Sequence, residues 1–258
     1  MELIWAQQAA PLPLLFFLTA LVYSMAGLGG GSAYLALLVL FAFPHTVVPQ
    51  MALLCNLTVV VGGCWFFARA GYFSLKRLLP FVVTSIPMAY WGGTIPIGKG
   101  LFNILLGGSL LAAALRMLLS DKALEARIPL SWERAWLVGV PLGAILGFLS
   151  GLVGIGGGIY LAPVLLLLGW ANSKQAAASA SFFILLNSMA GLLGQFTKGG
   201  AHANPTLIFP FLLAVFLGGQ IGSRIGSQYI SRLALQRVSA LLILLVSIKL
   251  LLSPYVLG

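Results

Sequence analysis

Two stretches of backbone carry the sharpest chemical suggestion in this chain. "AGLGGGSAYLALL" (26–38) and "GLVGIGGGIYLAP" (151–163) place a run of helix-breaking glycines about half a chain apart. Glycine permits a tight turn and close approach of other backbone. A helix that starts after such a turn presents amides without intrahelical partners and the positive end of its dipole, and this combination attracts anions. The expected ligand groups are therefore the amides around Gly30, Gly31, Gly157 and Gly158 rather than charged side chains. A close-packing role for small residues in membranes is the plainer reading of any one such run. Its repetition before an undersized apolar run each time favours a site. The runs are not phosphate-cradling P-loops, because no Lys-Ser/Thr follows either of them.

A few polar side chains accompany the turns. Asn56 and Asn187 fall near the centres of apolar runs, where polar groups face the protein interior, and an Asn amide can donate to an oxyanion. Interhelical hydrogen bonding is their structural alternative. Ser181, in "SASFF", stands about two turns before Asn187. Gln50 and Gln195 are further candidates, and Ser32, directly after the first GGG, reads as an N-cap. These ten positions form the candidate substrate-binding set. No catalytic dyad, metal cluster or cofactor motif is read: Ser181 has no His partner in register, and Cys55 and Cys64 stand nine positions apart in one apolar run. All four acids, Glu2, Asp121, Glu125 and Glu133, lie at the N-terminus, in a linker or at a segment edge. Nothing acidic in the core repels an anion.

The elements that position these groups are set by composition. Of the 258 residues, 60% are hydrophobic and 7% charged, more apolar surface than a soluble domain can hide. The net charge of +10 does not indicate nucleic acid, because basic residues stand singly or in pairs at the ends of apolar runs. The first basic residue is Arg69, so the charged n-region of a signal peptide is missing and the first segment is expected to stay in the protein.

Ten apolar runs can be marked, at about 4–26, 32–43, 47–67, 78–97, 101–119, 135–153, 159–170, 175–196, 206–225 and 233–252. A spanning helix needs about 20 residues; the second and seventh runs are too short. The order repeats. "PLLFFLTALVYSMAGLGGG" (13–31) matches "PLGAILGFLSGLVGIGGG" (141–158), and "LLCNLTVVVGG" (53–63) matches "ILLNSMAGLLG" (184–194), placing Asn56 opposite Asn187. The expected architecture is all-α and membrane-integral: two repeats of five segments, with eight long helices and two short half-helices after the GGG turns. The first repeat covers 1–120, a cytoplasmic linker 121–134 and the second repeat 135–258. Five is odd, so the second copy is expected inverted, as in many transporters. With the 68–77 loop inside, eleven Lys and Arg fall inside and Lys99, Lys198 and Lys249 outside, as the positive-inside rule requires. Both termini are then outside, and Arg224 reads as a topological charge near a cytoplasmic mouth.

"GFLSGLVGIGGGIYLAPVLLLLG" (147–169) followed by "AAASASFFILLNSMAGLLGQFTKGG" (176–200) resembles the TauE/SafE family of sulfite and organosulfonate exporters, over almost the whole chain. The motif positions are Gly29, Gly30 and Gly31 in the first copy and Gly154, Gly156, Gly157, Gly158 and Pro163 in the second, with Ser181 at the small polar position that follows. The first copy departs from the pattern: it has "QMALLCN" where the second carries serines, and it lacks a matching proline after its GGG. The resemblance implies a multi-pass transporter of the cytoplasmic membrane whose substrate is a small sulfur-containing anion such as sulfite, sulfoacetate or another organosulfonate. The lipid bilayer is the other expected partner, and self-association into a homo-oligomer stays among the options. The competing readings are an anion channel, a carrier of a different small anion and, more remotely, an intramembrane enzyme.

Overall fold

The structure is a computed structural model that describes residues 11–25, 28–119, 131–198, 205–226, 244, 245 and 247–252. The start of the first run, most of the 121–134 linker, both chain termini and residues 233–243 of the tenth run lie outside the described residues, as do His202, Arg232 and Arg237. Among the described residues the helices follow in order: α1 (Leu12–Met25), α2 (Gly31–Leu40), α3 (Val48–Arg69), α4 (Leu75–Thr94), α5 (Lys99–Leu119), α6 (Trp132–Val153), α7 (Gly158–Leu167), α8 (Ser173–Thr197) and α9 (Pro205–Gly226). Residues 247–251 are also helical, and no strand occurs among the described residues.

The lengths follow from the sequence. Val48–Arg69, Trp132–Val153, Lys174–Thr197 and Ile208–Ile225 are each long and apolar enough to cross a membrane. α2 and α7 have 10 residues each. At 1.5 Å rise per residue each is about 15 Å long, half of a hydrocarbon core of roughly 30 Å. Neither can cross alone, so each glycine turn leads into a half-helix. α8 starts with a reciprocal cap: Asn172 Oδ1 accepts from the Gln175 amide at 2.9 Å, and Gln175 Oε1 accepts from the Asn172 amide at 3.1 Å.

Packing links the two halves by exchange. α1 lies against α9 and α6 against α4; α9 also meets α3, as α4 meets α8, while α3 and α8 pack on each other. Exchanging helices whose numbers differ by five (α1 with α6, α3 with α8, α4 with α9) turns one set of pairs into the other. The buried apolar residues accordingly form two clusters. One joins α1, α2, α3, α5 and α9 with Leu152 and Val153 at the end of α6, Ile155 of the second turn and Leu250; the other joins α4, α6, α7 and α8. Each core thus borrows its outer helix from the opposite half.

The exchange is possible because small residues let backbones approach. Gly143, Gly147 and Gly151 on α6 lie against the carbonyls of Phe81, Ser85 and Ala89 on α4, and Gly218 and Gly222 on α9 lie against those of Phe17 and Leu21 on α1. Dispersion and close packing must hold helices together in lipid, which gives no hydrophobic drive between them. Replacing Gly147 by Leu should therefore lower stability by roughly 1–3 kcal/mol, read as thermal unfolding in detergent. Gly108→Ala, where an added Cβ meets nothing within 4 Å, should leave the unfolding temperature unchanged or slightly raised.

Candidate functional site

Both half-helices begin in the same way. The residue capping α2 is Gly30, at φ 86°, and the residue capping α7 is Gly157, at φ 76°. This left-handed backbone strains any residue with a Cβ. The amides of Ala33 and Tyr34 then bond to the Gly30 carbonyl, both at 3.0 Å, and those of Tyr160 and Leu161 bond to the Gly157 carbonyl at 3.1 and 3.3 Å. Gly31 and Ser32, and likewise Gly158 and Ile159, carry the first-turn amides that helix geometry leaves without an intrahelical acceptor. The N-cap expected at Ser32 is corrected: Gly30 caps the helix with no side-chain bond, because the turn requires positive φ at that point. Ser32 is the second helical residue and is buried.

Asn56 joins the two turns. It is fully buried, and its Nδ2 donates to the carbonyl of Ile155 at 3.2 Å, across 99 residues of sequence. A methyl group placed on Gly29 would fall 2.8 Å from Asn56 Oδ1; one on Gly156 would fall 2.8 Å from Asn56 Nδ2; one on Gly31 would fall 2.6 Å from the Ile155 carbonyl oxygen. The side-chain amide is thus sandwiched between the first turn and the second, and the space around it is filled in this conformation. Asn56 Oδ1 has no hydrogen-bond partner.

The other candidates divide. Asn187 is equally buried, but its Nδ2 turns back to the Phe183 carbonyl of its own helix at 2.8 Å, leaving Oδ1 unpartnered. Ser181 donates to Ala177 O at 3.0 Å, also on its own helix, and faces Gly63 of α3. Gly157 and Gly158 pack on Phe183 and Ile184 of α8. Gln50 is buried in the first turn of α3, next to Pro49, which lies against Gly154. Gln195 stands two turns beyond Asn187, donates to Gly151 O at 2.7 Å and accepts from Lys198 Nζ at 3.4 Å. The structure therefore brings Gly31 and Asn56 onto the second turn, sets Asn187 and Ser181 alongside on α8, and keeps Gln195 at the α8 end.

Two residues escaped the sequence reading. Ser188 Oγ would lie 3.1 Å from a methyl on Gly156, and the Tyr34 hydroxyl 3.0 Å from one on Gly30. Both side chains are fully buried and both oxygens lack partners. Ser188 adjoins Asn187, yet matching the halves puts Leu57 opposite it, so duplication gave no signal. Tyr34 read as one more apolar residue of a greasy half-helix; it stacks on Phe16 with ring centroids 4.8 Å apart. The assembled site offers hydroxyl donors, an amide and two helix N-termini, with no ionised group among these residues. Among the described residues the one acid is Glu133, at the start of α6.

The charges gather at the two ends. Lys174 Nζ donates to Tyr72 Oη at 3.2 Å, Arg77 Nε donates to Trp170 O at 3.0 Å, and Lys76 stands over the Trp132 ring. At the other end His45 neighbours Phe102. Burial, then Lys99 and Lys198, hold its imidazole below the usual histidine range.

The Asn56 bond yields a stability prediction. Asn56→Ala leaves the Ile155 carbonyl unpaired and should cost about 1–2 kcal/mol in detergent unfolding. Asn187→Ala should cost less than about 1 kcal/mol, because Phe183 O keeps its helical partner. His45 yields a pH prediction. As pH falls, the unfolded chain takes up its proton first, so stability declines on going down from about pH 6.5 to the depressed folded value. His45→Gln should flatten that part of a stability-versus-pH curve.

Comparison with known proteins fits this geometry. The profile of the family described as Sulfite exporter TauE/SafE matches residues 12–250. The chain is 34% identical to the probable membrane transporter protein y4hK of Sinorhizobium fredii, over 86% of this chain and 90% of that one. It is 25% identical to the probable membrane transporter protein YunE of Bacillus subtilis, over 80% and 84%. It is 35% identical to Sulfite exporter TauE/SafE family protein 1 of Arabidopsis thaliana, over 35% of this chain and 20% of that one. No solved structure matches the chain. An all-helical chain with several membrane-length helices, matched by that profile over most of its length, is a member of the TauE/SafE family of membrane transporter proteins.

Proposed function

We propose that the protein is a secondary carrier that moves small sulfur-containing anions, such as sulfite, sulfoacetate or other organosulfonates, across the cytoplasmic membrane. Its substrate site lies where the two glycine turns meet at Asn56. The observation that carries this reading is the junction itself: two left-handed caps, two half-helix N-termini and an Asn amide between them, all buried. Broken helices at membrane depth are tolerated only inside protein or along a wet cavity, and paired discontinuous helices are a transporter arrangement. First-turn amides of α2 and α7 take the anion's oxygens. Tyr34 and Ser188 donate from their hydroxyls, while Asn56, Asn187 and Ser181 bond from the side.

The reciprocal packing of α1 on α9 and α6 on α4 supports an inverted repeat. The gathering of Lys76, Arg77 and Lys174 at one end supports the orientation with that end in the cytoplasm. In the closed conformation described above, ligand entry requires the turns to part, which fits alternating access by movement of one half against the other. The name of the Arabidopsis relative favours sulfite as the first substrate to try.

Purified protein in proteoliposomes should show sulfite flux that saturates with concentration, which separates a carrier from a channel. Tyr34→Phe and Ser188→Ala keep volume and remove one hydroxyl each; both should reduce flux at least about tenfold, the effect of one or two lost donors. Unaltered flux in both, with normal insertion, removes the site assignment.

A further inference from the structure

Away from the turns, an open cleft of about 600 Å³ runs between α3 and α9 over α8. Its walls are Val61, Gly62, Cys64, Trp65, Phe66 and Ala68 of α3, with Phe182 of α8 and Gln220 and Arg224 of α9. The volume lies within the range of ligand sites. The lining is graded along the helices. Arg224 stands near the end of α9, and Ala68 one residue before the end of α3; Gln220 lies about one turn deeper, and Val61 and Gly62 about two. Gln220 precedes Arg224 by four residues, so both face the cleft. Gln220 Nε2 also reaches the backbone side of Gly62.

Three observations fix the occupant. First, the cleft is open on its side, where Val61 and Trp65 are 58% and 64% exposed; in a membrane that side faces acyl chains. Second, Trp65 is four residues, about 6 Å of helix, from the end of α3 at Arg69, the depth at which Trp marks the membrane interface. Third, the charge at the head of the cleft is positive: Arg224 lines it, Arg69 ends α3 beside it, and no acid is among its lining residues. An apolar groove capped by a cation at the cytoplasmic end matches an amphiphile with an anionic head. Cytoplasmic leaflets supply such lipids, and basic pockets between membrane helices hold their headgroups.

We propose that this cleft is a binding site for one anionic phospholipid of the cytoplasmic leaflet. The phosphate rests on Arg224, Gln220 donates to the glycerol ester region, and an acyl chain follows Val61, Trp65 and Phe66. The placement on the cytoplasmic side uses the orientation set by the Lys and Arg distribution; the transported substrate plays no part in it.

The test is native mass spectrometry of the full chain after graded delipidation in detergent, followed by titration with phosphatidylglycerol or phosphatidylcholine of identical acyl chains. Wild type should bind the first phosphatidylglycerol about fivefold more tightly than phosphatidylcholine, the ratio expected for one interfacial Arg. Arg224→Gln should abolish that preference, Arg224→Lys should keep most of it, and Trp65→Ala should weaken both lipids alike. Equal binding of the two lipids by wild type, which needs no variant to fold, overturns the proposal. So does a preference that survives Arg224→Gln, displacement of phosphatidylglycerol by millimolar sulfite or inorganic phosphate, or a second copy of the chain occupying the cleft.

Discussion

Every peptide group at membrane depth needs a partner, because lipid offers none. That constraint explains why the break in the second glycine turn is buried. Residues 154–157 interrupt the helical ladder between α6 and α7 and are buried. The Ile155 carbonyl, stranded by the break, finds its donor on a helix of the other half, in the Asn56 side chain. One long-range hydrogen bond thereby makes the second turn dependent on the first half. The glycines flanking it are what let the amide fit.

Exchange of helices extends the same dependence outward. α4 belongs to the first half by sequence and to the second-half core by packing, and α9 does the reverse. Neither half can complete its apolar core without the other. The carbonyl-to-glycine contacts along α4–α6 and α1–α9 hold the exchanged helices close, while α3 and α8 stay at the centre with the polar groups. Among the described residues no charged side chain stands at the glycine turns, where the half-helix N-termini carry the positive ends of their dipoles.

Much of this was legible in the residues. Composition identified the membrane, spacing found the described helices to within a few residues, the duplicated glycines located both turns, and the matched runs singled out Asn56 with Asn187. The half-helix starts were displaced by one residue, since the third glycine of each run is helical and the second caps it. Asn187 matched Asn56 in sequence but not in partner, because a side chain's choice between its own helix and its neighbour depends on rotamer and packing. Pattern matching does not encode either. Ser188 was missed for a related reason: it has no polar twin in the other half, and duplication was the filter; Tyr34, which shares its "YLA" with Tyr160, was passed over as apolar. The α3–α9 cleft left no trace in the sequence beyond Arg224, whose partners come from a helix some 160 positions away.

That mismatch between Asn56 and Asn187 has a mechanical consequence. A strictly twofold arrangement would clasp the turns with two side-chain amides; here Asn56 provides a single clasp, and Asn187 spends its donor at home. Among the described residues one side-chain hydrogen bond therefore spans the turns, worth net roughly 1 kcal/mol, about twice the thermal energy. In the proposed alternating-access cycle, that one bond is a small part of what must be given up when the turns separate.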